Sequence, residues 1–147
     1  MVNGGNEKIE VVFGWDTTGS MFPCVKEVRK KVEESFTRLF KEIPNLKIGL
    51  GANGDYCDKG STYVTAWHDL SSNIHDLCQF VRKVQNTGGG DLPECYELVL
   101  REARDISWSH NAKKILVLTA DDVPHPVHDR QNIQHNGGKG IDGTASQ

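Results

Sequence analysis

The sequence has no C-x-x-C pair, no long apolar run, no large excess of charge of one sign and few aromatic residues. Each shortage excludes something. The four cysteines, Cys24, Cys57, Cys78 and Cys95, stand singly, which removes zinc ribbons built on paired thiolates. No apolar stretch approaches the ~18 residues of a membrane-spanning helix, so no membrane partner is expected. A formal net charge of −3 argues against a nonspecific nucleic-acid binder. The polar start, residues 1–10, lacks the basic-then-apolar layout of a secretory signal. The cysteines are therefore expected to be reduced thiols in an intracellular, cytoplasmic protein, with Cys78 and Cys95 on apolar helix faces. There is no phosphate-cradling G-x-x-x-x-G-K-[ST] loop and no Ser–His pair at motif spacing, so catalysis is not expected of this chain.

What is present reads as one α/β domain. The chain of 147 residues, 37 % hydrophobic and 25 % charged, is long enough to bury a core without staples. Ile9 to Trp15 is a nearly all-apolar strand of the buried, parallel kind. A helix follows from about Met21 to Glu42, with Val25, Val28, Val32, Phe36 and Leu39 forming one stripe; Pro23 suits its first turn and Pro44 ends it. Leu46–Ala52 and Thr62–Trp67 read as strands around the turn at Asn53-Gly54-Asp55. A second helix runs from an N-cap at Ser72 to Val84. After the break Thr87-Gly88-Gly89-Gly90-Asp91, a third runs from about Leu92 to Ile106. Lys114–Ala120 is a fourth strand with an apolar centre. Residues 1–7 form a polar lead. Residues 123–147 carry no periodicity that supports a strand or helix and read as an irregular, Gly-rich tail. His125 and His128, set among Pro124 and Pro126, read as loop histidines.

Three segments with acidic or hydroxyl side chains fall where strands end or helices begin. They are Asp16-Thr17-Thr18-Gly19-Ser20-Met21 after the first strand, Gly88-Gly89-Gly90-Asp91-Leu92-Pro93-Glu94 before the third helix, and Asp121-Asp122 after the fourth strand. In an open α/β sheet, right-handed crossovers bring such segments to one edge, outside the carboxyl ends of the parallel strands. Carboxylate and hydroxyl oxygens there suit a hard divalent cation. Taken alone, Asp16, Thr18 and Ser20 would equally serve as a helix cap, and Asp121 and Asp122 as solvated turn residues.

Asp16-x-Thr18-x-Ser20, completed by Gly19 and Met21, resembles the D-x-[ST]-x-S signature of the metal-ion-dependent adhesion site of von Willebrand factor A domains. Ile115 to Asp121 resembles that family's later strand, which ends in a metal-site Asp. Asp91-Leu92-Pro93-Glu94 departs from the usual Gly-Gly-Thr pattern. It is closer to the D-x-P-E of the A-type domain in integrin β subunits, where the Glu reaches the metal. The resemblance covers about residues 8–122. It implies a Rossmann-like, doubly wound sheet, mostly parallel with one antiparallel edge strand and helices on both faces. It implies a site of Asp16, Thr18, Ser20 and Asp121 with Asp91 or Glu94, Asp91 being the favoured third-segment ligand. The ion would be Mg²⁺, or Mn²⁺ or Ca²⁺, with an open position for an Asp or Glu of a protein partner. Asp55, Tyr56 and Asp58 would lie on the partner-binding rim. The function implied is a metal-dependent interaction module.

The alternative is a Mg²⁺-dependent phosphohydrolase of the haloacid dehalogenase type, which also places an Asp after its first strand. That class wants a second Asp two residues later, where this chain has Thr18. The family has about six strands and only four are legible here. The domain is therefore expected to be incomplete or its tail irregular, with a fourth strand at a sheet edge open to self-association.

Overall fold

The computed structural model describes residues 7–90 and 93–142. Four strands, β1 (Lys8–Asp16), β2 (Leu46–Asn53), β3 (Thr65–Ser71) and β4 (Ala112–Thr119), form one sheet in the order β3-β2-β1-β4. β1 is parallel to both β2 and β4, and β3 runs antiparallel on the outer edge of β2. This is the mixed, mostly parallel α/β layout expected.

The apolar run of β1 places it at the centre, because both of its faces are covered. On one face Val11 and Trp15 pack with Val25, Val32 and Phe36 of α1 (Phe22–Glu42) and with Leu77, Cys78 and Val81 of α2 (Ile74–Lys83). On the other, Gly14 admits α3 (Tyr96–Glu102): a Cβ there would stand 3.0 Å from Leu118 and 3.7 Å from Val99. Helices thus lie on both faces, but the second layer is short.

Local differences from expectation have identifiable causes. Asn73, not Ser72, caps α2, its Oδ1 accepting from the amides of His75 and Asp76 at 3.0 and 3.3 Å. β3 begins later than Thr62 because the amides of Ser61 and Thr62 are still bound to the Asp58 carbonyl, closing a 3₁₀ turn at Tyr56–Gly60. α3 begins later than residue 92. The Glu94 amide is held by the Val123 carbonyl, and Glu94 bridges Pro124 in β fashion, so helical geometry starts only at Tyr96.

The expectation of an irregular tail needs correction. Residues 123–142 contain α4 (Arg130–His135), capped by Asp129, whose Oδ1 accepts from the amides of Gln131 and Asn132 at 2.8 and 3.1 Å. The segment is closed by polar groups. Fully buried Asn132 donates to the carbonyls of Pro126 and Ile141 at 3.1 and 2.9 Å and accepts from the Ile141 amide at 2.8 Å. A hydropathy pattern carries no trace of such packing. Among the described residues no helix is long and apolar enough to cross a membrane. The four cysteines form no disulfide with one another.

Candidate functional site

β1 and β2 end level, with Asp16 opposite Asn53. The Thr17 amide and hydroxyl both donate to the Asn53 carbonyl, at 2.8 and 2.7 Å, and the Thr17 carbonyl accepts from the Thr87 amide at 2.9 Å. This pins the chain leaving β1 to the chain entering the glycine loop. Asp16 is fully buried at the pin. Its Oδ1 accepts from the Thr18 amide and hydroxyl at 2.7 and 2.6 Å, and its Oδ2 accepts from the Tyr96 hydroxyl at 2.5 Å. Ser20 is exposed just beyond, in the 3₁₀ turn Gly19–Met21 that opens α1.

The glycine loop is held from beneath by Asp58, whose carboxylate accepts from the amides of Gly88, Gly89 and Asp55 at 3.1, 3.2 and 2.9 Å. Gly89 has φ of 64°, a left-handed conformation that favours glycine, and a Cβ there would sit tightly, 3.3 Å from Thr18 and 3.4 Å from Glu94 Oε1. Gly54 is needed too, since a Cβ would come within 2.7 Å of Thr87 and 2.8 Å of Asp58. The result is a shallow depression of about 320 Å³ walled by Thr18 to Ser20, Gly88 to Gly90 and Glu94.

Glu94 is the unusual member. It is buried and its Oε2 has no hydrogen-bond partner. Burial, then the charges of Asp16 and Asp55, push its carboxyl up to about 8, with only partial opposition from the Thr18 hydroxyl. A carboxylate placed there needs a proton or a cation. Among the described residues lining the depression, the side-chain donors are carboxylate or hydroxyl oxygens, the chemistry of Mg²⁺, Mn²⁺ or Ca²⁺ sites. Both oxygens of Asp16 are already engaged by protein donors, so its remaining lone pairs suit contact through water better than a close direct bond.

The structure brings Asp16, Thr18 and Glu94 together, with Ser20 on the lip. Asp121 follows β4 with its side chain exposed. Among the described residues, no three His, Cys, Asp or Glu side chains converge as a ready ligand set. Asp91 lies outside the described residues. Asp122 does not stand freely in solvent: it is half-buried and its Oδ1 accepts from the Val123 amide at 2.8 Å.

The expected rim is corrected as well. Asp55, Tyr56 and Asp58 are all buried. Asp55 and Asp58 cap one another's backbone across the 3₁₀ turn, and Asp58 supports the glycine loop. Tyr56 donates to Glu97 Oε1 at 2.5 Å.

Two residues were not foreseen. Tyr96 falls within the expected third helix and carries no site signal in the sequence, yet its hydroxyl ends on Asp16; burial and that acceptor push its phenol well above the ordinary range. His125 reads as a loop histidine, and its flanking prolines offered no other signal. It is buried, with Nε2 2.8 Å from Asp55 Oδ1, Nδ1 3.2 Å from Asp129 Oδ1 but not aligned for a hydrogen bond, and its amide donating to Glu97 Oε2 at 3.0 Å. Burial works against a charged imidazole, but the Asp55 hydrogen bond and charge, helped by Glu97 and Asp129, raise its pKa overall. Asp55 moves the other way: burial raises it, but its hydrogen bonds from His125 and from the Tyr56 amide bring it below the usual range. The His125 amide is shared with the Glu94 carbonyl, which accepts from it at 3.1 Å. The tail therefore abuts the site.

No protein-family model matches the chain. A curated relative, the putative ariadne-like RING finger protein R811 of Acanthamoeba polyphaga mimivirus, is 29 % identical over 112 residues. That alignment takes in 75 % of this chain and 10 % of the relative, so the chain spans about a tenth of the relative's length. Among solved structures, the pilus adhesin SpaC of Lactobacillus rhamnosus GG in its open conformation is similar with a TM-score of 0.62 and 19 % identity. The match covers 80 % of this chain and 15 % of the adhesin. A second structure of SpaC gives a TM-score of 0.62 at 16 % identity, over 80 % of this chain and 16 % of the adhesin. At these identities the likeness to SpaC is one of fold.

Proposed function

We propose that this chain is a divalent-metal-dependent binding module rather than an enzyme. The ion would sit in the depression above Asp16, and a carboxylate from a protein partner would complete its shell. The observation that carries this reading is Glu94: a buried carboxyl with an unpartnered oxygen, beside Thr18 at the glycine loop and raised by burial and then by the neighbouring Asp16. A cation of charge +2 between the two acids would relieve that repulsion. Asp16, Thr18, Ser20 and Glu94 would hold it, with Asp121 and Asp91 as further oxygen donors from the flanking segments. The ion would supply electrostatic attraction for an Asp or Glu side chain, with Mg²⁺ as the first choice and Mn²⁺ or Ca²⁺ able to replace it. Adhesion belongs to SpaC by name; for this chain, the binding reading comes from its own residues. An intracellular location and self-association through the β4 edge belong to the same reading.

Thermal denaturation tests it. A ligand that binds only the native state at a hundredfold excess over its Kd adds about 2.7 kcal/mol, or roughly 5–10 °C in Tm for a chain of this size. Millimolar Mg²⁺ or Mn²⁺ should raise the wild-type Tm by that order over chelator, and Asp16→Ala should remove the response. An equal response in both proteins would sink the reading. Mg²⁺-dependent hydrolysis of an aryl phosphate, lost in Asp16→Asn, would replace it with the phosphohydrolase.

A further inference from the structure

The Tyr96 hydroxyl reaches Asp16 from a different element and a sequence distance of 80 residues. We propose that Tyr96 is a positioning residue for cation binding: its hydroxyl fixes the Asp16 carboxylate beside Thr18 and Glu94, so that the remaining lone pairs are held ready. This inference rests on the metal-dependent reading above.

The geometry leaves Asp16 little freedom. Oδ1 takes two donors from Thr18, at 2.7 and 2.6 Å, which fix that oxygen against its own loop. Oδ2 takes the Tyr96 hydroxyl at 2.5 Å, and both residues are buried. With three donors on one carboxylate, rotation about its terminal bond would break at least one buried hydrogen bond. Tyr96 itself is fixed by α3, where the Cys95 thiol donates to the Gly54 carbonyl at 3.0 Å and the Glu94 carbonyl accepts from the Tyr96 amide at 2.9 Å. A ligand's outer hydrogen-bond partners set its orientation and basicity, and their loss typically weakens metal binding about 10–100-fold.

Tyr96→Phe removes the hydroxyl and keeps the ring. Mn²⁺ affinity, titrated by electron paramagnetic resonance on the full chain, is expected to fall about 10–100-fold. A purely structural role would lower Tm in chelator and leave Mn²⁺ affinity unchanged, and that result overturns the proposal. In an Asp16→Asn background, Tyr96→Phe should produce no further loss; an independent loss of the same size also overturns it. A wild-type chain with no Mn²⁺ affinity overturns the metal reading and this inference together, whereas a wild type that binds and a Tyr96→Phe variant that binds equally overturns only this inference. Should Tyr96→Phe not fold, the wild type still decides. With the three tyrosines labelled at ¹³Cζ, Mg²⁺ should shift the Tyr96 resonance and leave Tyr56, which donates to Glu97, in place. An unmoved Tyr96 resonance under saturating Mg²⁺ counts against the proposal.

Discussion

Glu94 concentrates the chemistry of the site in one side chain. Its carboxyl is lifted from 4.5 to about 8, first by burial and then by Asp16. The folded chain therefore keeps this proton up to about pH 8, while the unfolded chain releases it near 4.5. Between those values the unfolded state is favoured progressively, so stability falls as pH rises across the window. Glu94→Gln removes that dependence. In chelator, urea denaturation should find the variant close to wild type at the acid end and more stable by a few kcal/mol at the alkaline end, on the order expected for a shift of this direction. Parallel pH profiles for the two proteins would show that Glu94 is not the group responsible. Added Mg²⁺ should narrow the difference at high pH, because a cation replaces the proton in compensating the charge.

At the scale of elements, the tail from residue 123 to 142 is the part with a testable dependence on one contact. His125 lies between Asp55 from the turn after β2 and Asp129 at the cap of α4, and its amide meets Glu97 on α3. Tyr56 packs at a tilt against it and against His135 of α4, at centroid distances of 5.1 and 4.9 Å. His125→Ala would leave Asp55 as a buried, uncompensated acid, a change that typically destabilises by about 3–5 kcal/mol. Limited proteolysis should then cut between residues 123 and 142 where wild type resists. Resistance equal to wild type would mean that Asn132 and its carbonyl partners hold the tail unaided. The pH signs are opposite for the two partners. The raised His125 contributes stability that is complete below its unfolded value of 6.5 and is lost as pH climbs through the higher folded value. The lowered Asp55 contributes stability present above 3.8 and lost as pH drops through its lower folded value. Tail docking should be firmest between those limits.

For the molecule as a whole, the sheet is asymmetric. The outer strand β3 runs antiparallel and is half-buried along most of its length. β4 pairs with β1 on one side and, among the described residues, with no strand on the other. Leu116 and Val117 are 37 % and 40 % exposed there, unusual for the centre of an apolar strand. An exposed apolar edge with open backbone groups is a template for another strand. A second copy fits by charge: in an antiparallel pair, the Lys113-Lys114 end of one β4 would lie beside Asp121-Asp122 of the other. Sedimentation velocity should show a concentration-dependent dimer, weakened by salt and abolished by Val117→Lys, since a charge on the edge blocks pairing. A monodisperse monomer at all concentrations removes the idea.

The sequence by itself determined the layers and the place of the candidate site. The unbroken apolar run of β1 demanded burial on both faces, the three- and four-residue spacing in α1 demanded a sheet beneath it, and Asp16-x-Thr18-x-Ser20 could only fall at the carboxyl end of β1. These are signals of period and position, which a chain carries locally. Only the tertiary structure decided which polar groups are buried and with whom. Asp55 and Asp58 look like rim residues in a turn, yet both are buried: Asp58 becomes the inner support of a glycine loop that is distant in sequence, and Asp55 the partner of His125. Tyr96 carries no site signal in the sequence, and becomes the donor to Asp16. Asn132 and His125 look like members of a loose tail, and become its fastenings. The physical reason is the same in each case. Hydrophobic burial is non-directional and follows composition along a segment, whereas a buried hydrogen bond depends on two groups brought together by the whole fold.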